Sequence, residues 1–273
     1  MRYMQCFKNA QPVLDISLLD RAFHYGDGCF TTGRIRNNRI ELEDLHLARL
    51  KLACEKLHLN VNLELINQSI EKLKLEHKIL NGTFKIVISR GEGQRGYSLP
   101  EHEADFWFYF YSKETQDFQY ELIQAGVLTQ SIGLLAPNLV GVKSLNRLEQ
   151  VLLKKEVDEK KWAEALVTDI QGSVIEGVSS NCFVRINNTW ITPELRYNGV
   201  HGIMRTEILL RMKQQGISCE QRRINQNEIP NIRSLFFCNA LSPMKIVTEL
   251  NSEQLNTQAC IDLFHHLQLN QIR

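Results

Sequence analysis

The stretch GVKSLNRLEQVLL, Gly141 to Leu153, sets a single lysine, Lys143, among small and apolar neighbours just ahead of a helix-like run. Leu145, Leu148, Val151 and Leu152 recur at helical spacing, and Asn146 with Glu149 three residues on predicts the helix start. Flanked by Val142 and Leu145, such a lysine is partly withdrawn from water. Desolvation lowers an amine's proton affinity and makes it a usable nucleophile toward carbonyls. A surface lysine beside a helix start is the commoner explanation of any such residue taken alone. The decision therefore rests on the rest of the chain.

Working outward, the spacing predicts strand Ala165–Asp169 and a hairpin over Asn181–Ile191 turning on Asn187 and Asn188. Helix Ile203–Gln214 closes at Gly216, and strand Leu235–Cys238 and a last helix around Ala259–Leu267 follow. Upstream lies strand Leu122–Thr129. The polar run Ser112–Gln119 is the expected linker between a smaller domain, 1–119, and a larger one, 120–273, that carries Lys143. Within the smaller domain Tyr25-Gly26-Asp27-Gly28 marks a tight turn. Strand Cys29–Ile35, a turn at Asn37-Asn38, helices over 43–58 and Leu63–Leu80, and strands Thr83–Arg90 and Asp105–Tyr111 complete it. Helices and strands mix without strict βαβ alternation, which favours α+β.

With 32 basic and 31 acidic residues among 273, no charge excess points to nucleic acid or an anionic membrane. Seven scattered cysteines without a CxxC pair argue for a reducing compartment and against a disulfide frame or zinc site. No apolar run approaches a membrane helix, and the opening MRYMQCFKNAQPVLD lacks the core of a signal peptide, so a cytoplasmic protein is expected. Gly91, Gly93 and Gly96 spell GxGxxG after a strand, but a dinucleotide turn needs a helix to open at once. Tyr97-Ser98-Leu99-Pro100 follow instead, which predicts a loop presenting Arg95 and Tyr97.

Other stretches make sense together if the ligand carries a phosphate and a carbonyl. Asn198-Gly199-Val200-His201-Gly202-Ile203 runs straight into a helix, where glycines let backbone N–H groups approach an anion; a plain glycine-rich loop fits equally well. Arg49, on a helix, suits a phosphate fork or a solvated surface. Glu176, in the otherwise uncharged GSVIEGVSSNCF, is either a strand-edge residue or the partner of a buried cation.

Taken in order, YGDG at Tyr25–Gly28, Arg49 in HLARL, the Lys143 stretch, Glu176 to Asn181 as ExxxxN, HGIMR at His201–Arg205 and NALSP at Asn239–Pro243 resemble the fold-type IV pyridoxal-phosphate enzymes. That family holds the branched-chain and D-amino-acid aminotransferases and 4-amino-4-deoxychorismate lyase, and the motifs span nearly the whole chain. The resemblance implies two α+β domains with the cofactor between them, usually in a homodimer. Lys143 would then hold pyridoxal phosphate covalently and act as the catalytic base, with Glu176 pairing with the pyridine nitrogen. Arg49 and the backbone of Ile203 and Met204, with Asn239 and Ala240, would hold the phosphate.

The details are most similar to the lyase branch, whose substrate is 4-amino-4-deoxychorismate. Thr31 stands where the aminotransferases usually carry glutamate, and SRGEGQRGYS (Ser89–Ser98) and CNAL (Cys238–Leu241) match the lyase pattern. Met204 departs from the threonine of many relatives, which removes a hydroxyl from the phosphate site. For the carboxylates of the substrate the resemblance leaves Tyr25, Thr31, Thr32, Arg95 and Tyr97. An aminotransferase of the same fold, or a non-catalytic relative, are the competing readings. No metal is implied.

Overall fold

The computed structural model describes residues 4–273, so the first three positions of the opening segment lie outside the described residues. Two compact units emerge: Met1–Gln116 with Val142–Asn146 and Arg273, and Asp117–Gly141 with Arg147–Ile272. The change-over between Gln116 and Asp117 lies inside the polar run Ser112–Gln119.

The first unit is built on a six-stranded antiparallel sheet of β1 (Met4–Lys8), β2 (Gln11–Pro12), β3 (Gly28–Arg36), β4 (Arg39–Ile40), β5 (Gly82–Ser89) and β6 (Asp105–Ser112), in the order β2-β1-β6-β5-β3-β4. Its helices are α1 (Arg21–Tyr25), α2 (Glu43–Leu57) and α3 (Leu65–Glu76). Asn37 and Asn38 both take positive φ, 50° and 68°, the geometry a two-residue hairpin turn requires. From Cys29 onward β3 alternates. Cys29, Thr31, Gly33 and Ile35 are buried, and the residue after each of them is partly exposed. Phe84, Ile86, Ile88, Phe106, Phe108 and Phe110 join that buried face and meet Leu50, Ile66 and Leu73 of α2 and α3 in one core. Each such side chain contributes roughly 1.5–3 kcal/mol relative to exposure.

The expectation that the second domain carries Lys143 is corrected here, because residues 142–146 act as a short extra strand beside β3. Phe30 N donates to Lys143 O (2.9 Å), and Leu145 N donates to Gly28 O (3.0 Å). Val142 enters the core of the first unit, and strand alternation therefore turns Lys143 to the opposite face.

The second unit is a ten-stranded mixed sheet of β7 (Glu121–Val127), β8 (Glu164–Thr168), β9 (Ser173–Gly177), β10 (Asn181–Ile186), β11 (Thr189–Pro193), β12 (Cys219–Arg222), β13 (Ile224–Asn225), β14 (Ser234–Asn239), β15 (Ser242–Leu250) and β16 (Glu253–Gln254). The order is β12-β11-β10-β14-β15-β7-β8-β9-β13, with β16 on β15. Its α-helices are α4 (Leu148–Glu159), α5 (Ile203–Gln214) and α6 (Gln258–His266). The start expected for α4 at Asn146 is also corrected. Arg147 is its N-cap, without a side-chain cap bond, and Leu153 and Val157 are its buried residues. Leu148, Val151 and Leu152 face outward, 70%, 65% and 50% exposed. No helix among the described residues is long and apolar enough to cross a membrane.

Candidate active site

In the first unit the Lys143 amine lies 4.6 Å from the centre of the Phe30 ring. A second amine, that of Lys85, lies 4.9 Å from the same ring. β3 and β5 pair with Phe30 opposite Val87 and Thr32 opposite Lys85, and β5 and β6 pair with Lys85 opposite Tyr109. Directly opposed residues share a sheet face. Thr32, Lys85 and Tyr109 thus form a row beside Phe30 and Lys143. Burial pushes the Lys85 ammonium below its ordinary range, since withdrawing an amine from water penalises its charged form.

Thr31 points the other way, which corrects its assignment as a substrate contact. Side chains alternate along a strand, so Thr31 and Thr32 cannot face the same ligand. Thr31 is fully buried. Its hydroxyl sits 2.6 Å from His46 Nδ1 and accepts a hydrogen bond from Arg49 Nη2. Burial, with the Arg49 charge beside it, pushes His46 down to about 3. His46 is therefore a neutral ring at working pH and adds no competing cation next to Arg49. Gly33 leaves room for it, because a Cβ there would lie 2.7 Å from His46 Cε1. The spacing 46, 49, 50 on α2 thus sets a guanidinium against β3 with neutral support.

Tyr25 and Tyr97 form a third group, and Arg95 lies on the same loop as Tyr97. Gly96 N donates to Tyr25 Oη (3.2 Å), the Tyr25 and Tyr97 rings lie 5.6 Å apart, and Arg21 Nη1 donates to Gly96 O (2.9 Å). Arg21 Nε and Arg90 Nε both donate to Asp27 Oδ2 at 2.8 Å. Burial raises the Asp27 carboxyl, but Arg90 and Arg21 outweigh it and hold the group below the usual carboxylate range. The aspartate of YGDG is thereby the charged hub that fastens the loop to α1. Arg95 and Tyr97 themselves are exposed, and no helix opens within the GxGxxG stretch.

In the second unit Glu176, 9% exposed, accepts hydrogen bonds at Oε2 from Asn181 Nδ2 (3.1 Å) and Val200 N (3.0 Å). Gly199, at φ 80°, shapes the turn that delivers Val200; a side chain there would press on Leu195 and Ile175. Burial pushes Arg147 below its ordinary range, and Glu176 and Glu149 pull it back up. Gly202 caps α5 without a side-chain hydrogen bond, and a Cβ on it would run into Asn181 Oδ1. The first N–H groups of a helix have no partner within the helix, and the helix dipole makes that end positive. Ile203 and Met204, the first two residues of α5, are both buried.

Asn239 ends β14. Its Oδ1 accepts from Leu241 N and Ser242 N, both at 3.0 Å, so this oxygen caps the turn between β14 and β15. Its Nδ2 donates to Ser179 O at 3.4 Å. Ala240 is partly exposed in that turn.

In the first unit an amine suits a carbonyl and a guanidinium suits a phosphate; in the second a helix start suits a phosphate and a carboxylate suits a protonated ring nitrogen. With its two sheets and attendant helices, the chain has the α+β fold of the fold-type IV pyridoxal-phosphate enzymes. It belongs to the amino-transferase class IV family, which it matches over residues 28–250. It is 28% identical over 250 residues to aminodeoxychorismate lyase of Vibrio harveyi, covering 90% of this chain and 91% of that protein. D-alanine aminotransferase of Bacillus licheniformis is 24% identical over 251 residues, covering 89% of this chain and 86% of that protein. The crystal structure of 4-amino-4-deoxychorismate lyase from Pseudomonas aeruginosa superposes with a TM-score of 0.82 at 28% identity, over 95% of this chain and 98% of that one.

Proposed function

We propose that this chain eliminates pyruvate from 4-amino-4-deoxychorismate to give 4-aminobenzoate, with pyridoxal phosphate held on Lys143. The observation that carries the reading is the meeting of two lysine amines at Phe30. One amine serves the cofactor carbonyl. The other remains as a cation for a substrate with two carboxylates. The similarity to the Vibrio harveyi and Pseudomonas aeruginosa lyases supports the same choice.

When bound, pyridoxal phosphate supplies an electron sink for the charge left when a C–H beside the substrate nitrogen breaks. Arg49 and the backbone N–H groups of Ile203 and Met204 would hold its phosphate, and Ala240 adds backbone at the same end. Glu176, steadied by Asn181 and Val200, would accept a hydrogen bond from the ring nitrogen and keep it protonated. The Lys143 amine would take the proton from the C–H and return it to the departing enolpyruvate. Loss of pyruvate makes the substrate ring aromatic, which drives the reaction forward. Lys85 and Thr32 on the sheet face, and Arg95, Tyr97 and Tyr25 at the loop, are assigned to the substrate carboxylates.

The working form is a cytoplasmic homodimer. Seven free thiols suit a reducing compartment. Leu18, Leu19 and Phe23 in the first unit, and Leu148, Val151 and Leu152 in the second, are large apolar side chains left exposed in one chain, the kind of surface a second copy hides.

The test is to supply enzymatically generated aminodeoxychorismate and to follow pyruvate and 4-aminobenzoate together. Equal yields of both, abolished in Lys143→Ala, are expected. Amino-group exchange between D-alanine and 2-oxoglutarate without pyruvate would instead make the chain an aminotransferase. The D-alanine aminotransferase relative favours that second reading.

A further inference from the structure

Glu164, at the start of β8, has no place in the reading so far, yet its buried carboxylate accepts five hydrogen bonds. It is 2% exposed. Its Oε1 accepts from Val178 N (2.9 Å) and Ala165 N (3.2 Å), and its Oε2 accepts from Ser179 N (3.3 Å), Ser179 Oγ (2.7 Å) and Ser180 Oγ. All of these donors are neutral, and all but Ala165 belong to the turn 177–180 that joins β9 to β10.

Burying a carboxylate is costly unless its lone pairs are met, and backbone N–H groups meet them at no cost in charge. The carboxylate fills the inside of the turn as an anion fills a nest of N–H groups. Gly177 N donates to Ser180 O (2.6 Å) and closes the turn from the other side. A side chain on Gly177 would meet Phe237 at 2.8 Å and the Glu164 carboxyl carbon at 3.0 Å, so only glycine lets the strand pass this close.

The residue before this turn is Glu176, counted across Gly177, and the residue after it is Asn181. These two side chains bond each other and, through Glu176, bond Val200 N. The ladder holds Glu176 against β8 and Asn181 against β14, and the turn is the direct link between these two strand ends, so a slip of the turn would move one partner relative to the other. We propose that Glu164 is a positioning residue: it templates the 177–180 turn and thereby sets the Glu176–Asn181–Val200 cluster. The inference rests on the reading that Glu176 serves the cofactor nitrogen, but its mechanical part does not need the cofactor.

Two variants test it. Glu164→Gln replaces one acceptor oxygen with an N–H donor facing other donors. Ser180→Ala removes a single donor and leaves the turn otherwise able to form, so it stands in if Glu164→Gln does not fold. Without cofactor, amide hydrogen exchange at Val200, 20 residues beyond Ser180, is expected to speed up roughly tenfold in Ser180→Ala, the loss of about one hydrogen bond to a charged group. With pyridoxal phosphate added, the pH midpoint of its visible absorption is expected to move and its affinity to fall by a similar factor. A lower melting temperature with unchanged Val200 exchange and an unchanged midpoint would overturn the proposal and make Glu164 merely structural. Faster Val200 exchange without any cofactor binding by the wild-type protein would uphold the templating and sink the reading of Glu176.

Discussion

In the first unit the groups assigned to the site are cations, Lys143, Lys85 and Arg49, and their neighbours are rings and hydroxyls: Phe30, Thr31 and a neutral His46. In the second unit they are a carboxylate, Glu176, and a helix start, and the neighbours are amides and backbone N–H groups. An aromatic face or a hydroxyl beside a cation leaves its positive charge able to meet an anion. The pairs of Arg21 and Arg90 with Asp27, by contrast, hold a loop in place.

The largest effect tests the cation side. Lys143→Ala should lower turnover by at least ~10³-fold, because it removes both the covalent anchor and the acid–base group; rates with saturating substrate and cofactor check it. On the carboxylate side, Glu176→Gln should cost roughly 10–100-fold in kcat, the value of a hydrogen bond to a charged group, with the fold retained by circular dichroism. The neutral histidine gives a pH signature. His46 has its folded value at about 3 against 6.5 unfolded, so its contribution is fully present above pH ~6.5 and is lost as the pH falls. Stability should decline by up to ~1.4 kcal/mol per pH unit from this group alone. Denaturant titrations from pH 7.5 to pH 5 should therefore show a flatter slope in His46→Gln. The smallest effect sharpens the division between the two lysines. Lys85→Met should raise KM for the dicarboxylate substrate about tenfold and leave the affinity for pyridoxal phosphate near wild type.

Much of this was legible in the sequence where local signals agree. β3, the Asn37-Asn38 turn, α2, α5 and the Asn187-Asn188 hairpin stand where alternation, helical period and turn chemistry place them. β15 was not legible. SPMKIVTEL opens on Ser-Pro and carries Lys245 and Glu249, yet it pairs with β14 on one side and β7 on the other. Proline is tolerated there because it stands next to the strand's first residue. The membership of Lys143 could not be read either, since only the long-range pairing of residues 142–146 with β3 decides it. Lys85 was missed because a lysine in an alternating strand reads as solvated. Its one sequence signal is the parity it shares with Val87 in TFKIVIS, and that gains meaning only once Thr32 is seen opposite. Glu164 looks like an ordinary strand-start charge, and nothing in EALVT tells that a turn closes over it 14 residues later.

The most direct test of the account is borohydride reduction of the protein after incubation with pyridoxal phosphate, followed by peptide mass spectrometry. The account predicts the pyridoxyl mass on the peptide containing Lys143 and none on the peptide containing Lys85. Label on Lys85, or no label on either amine, would contradict it.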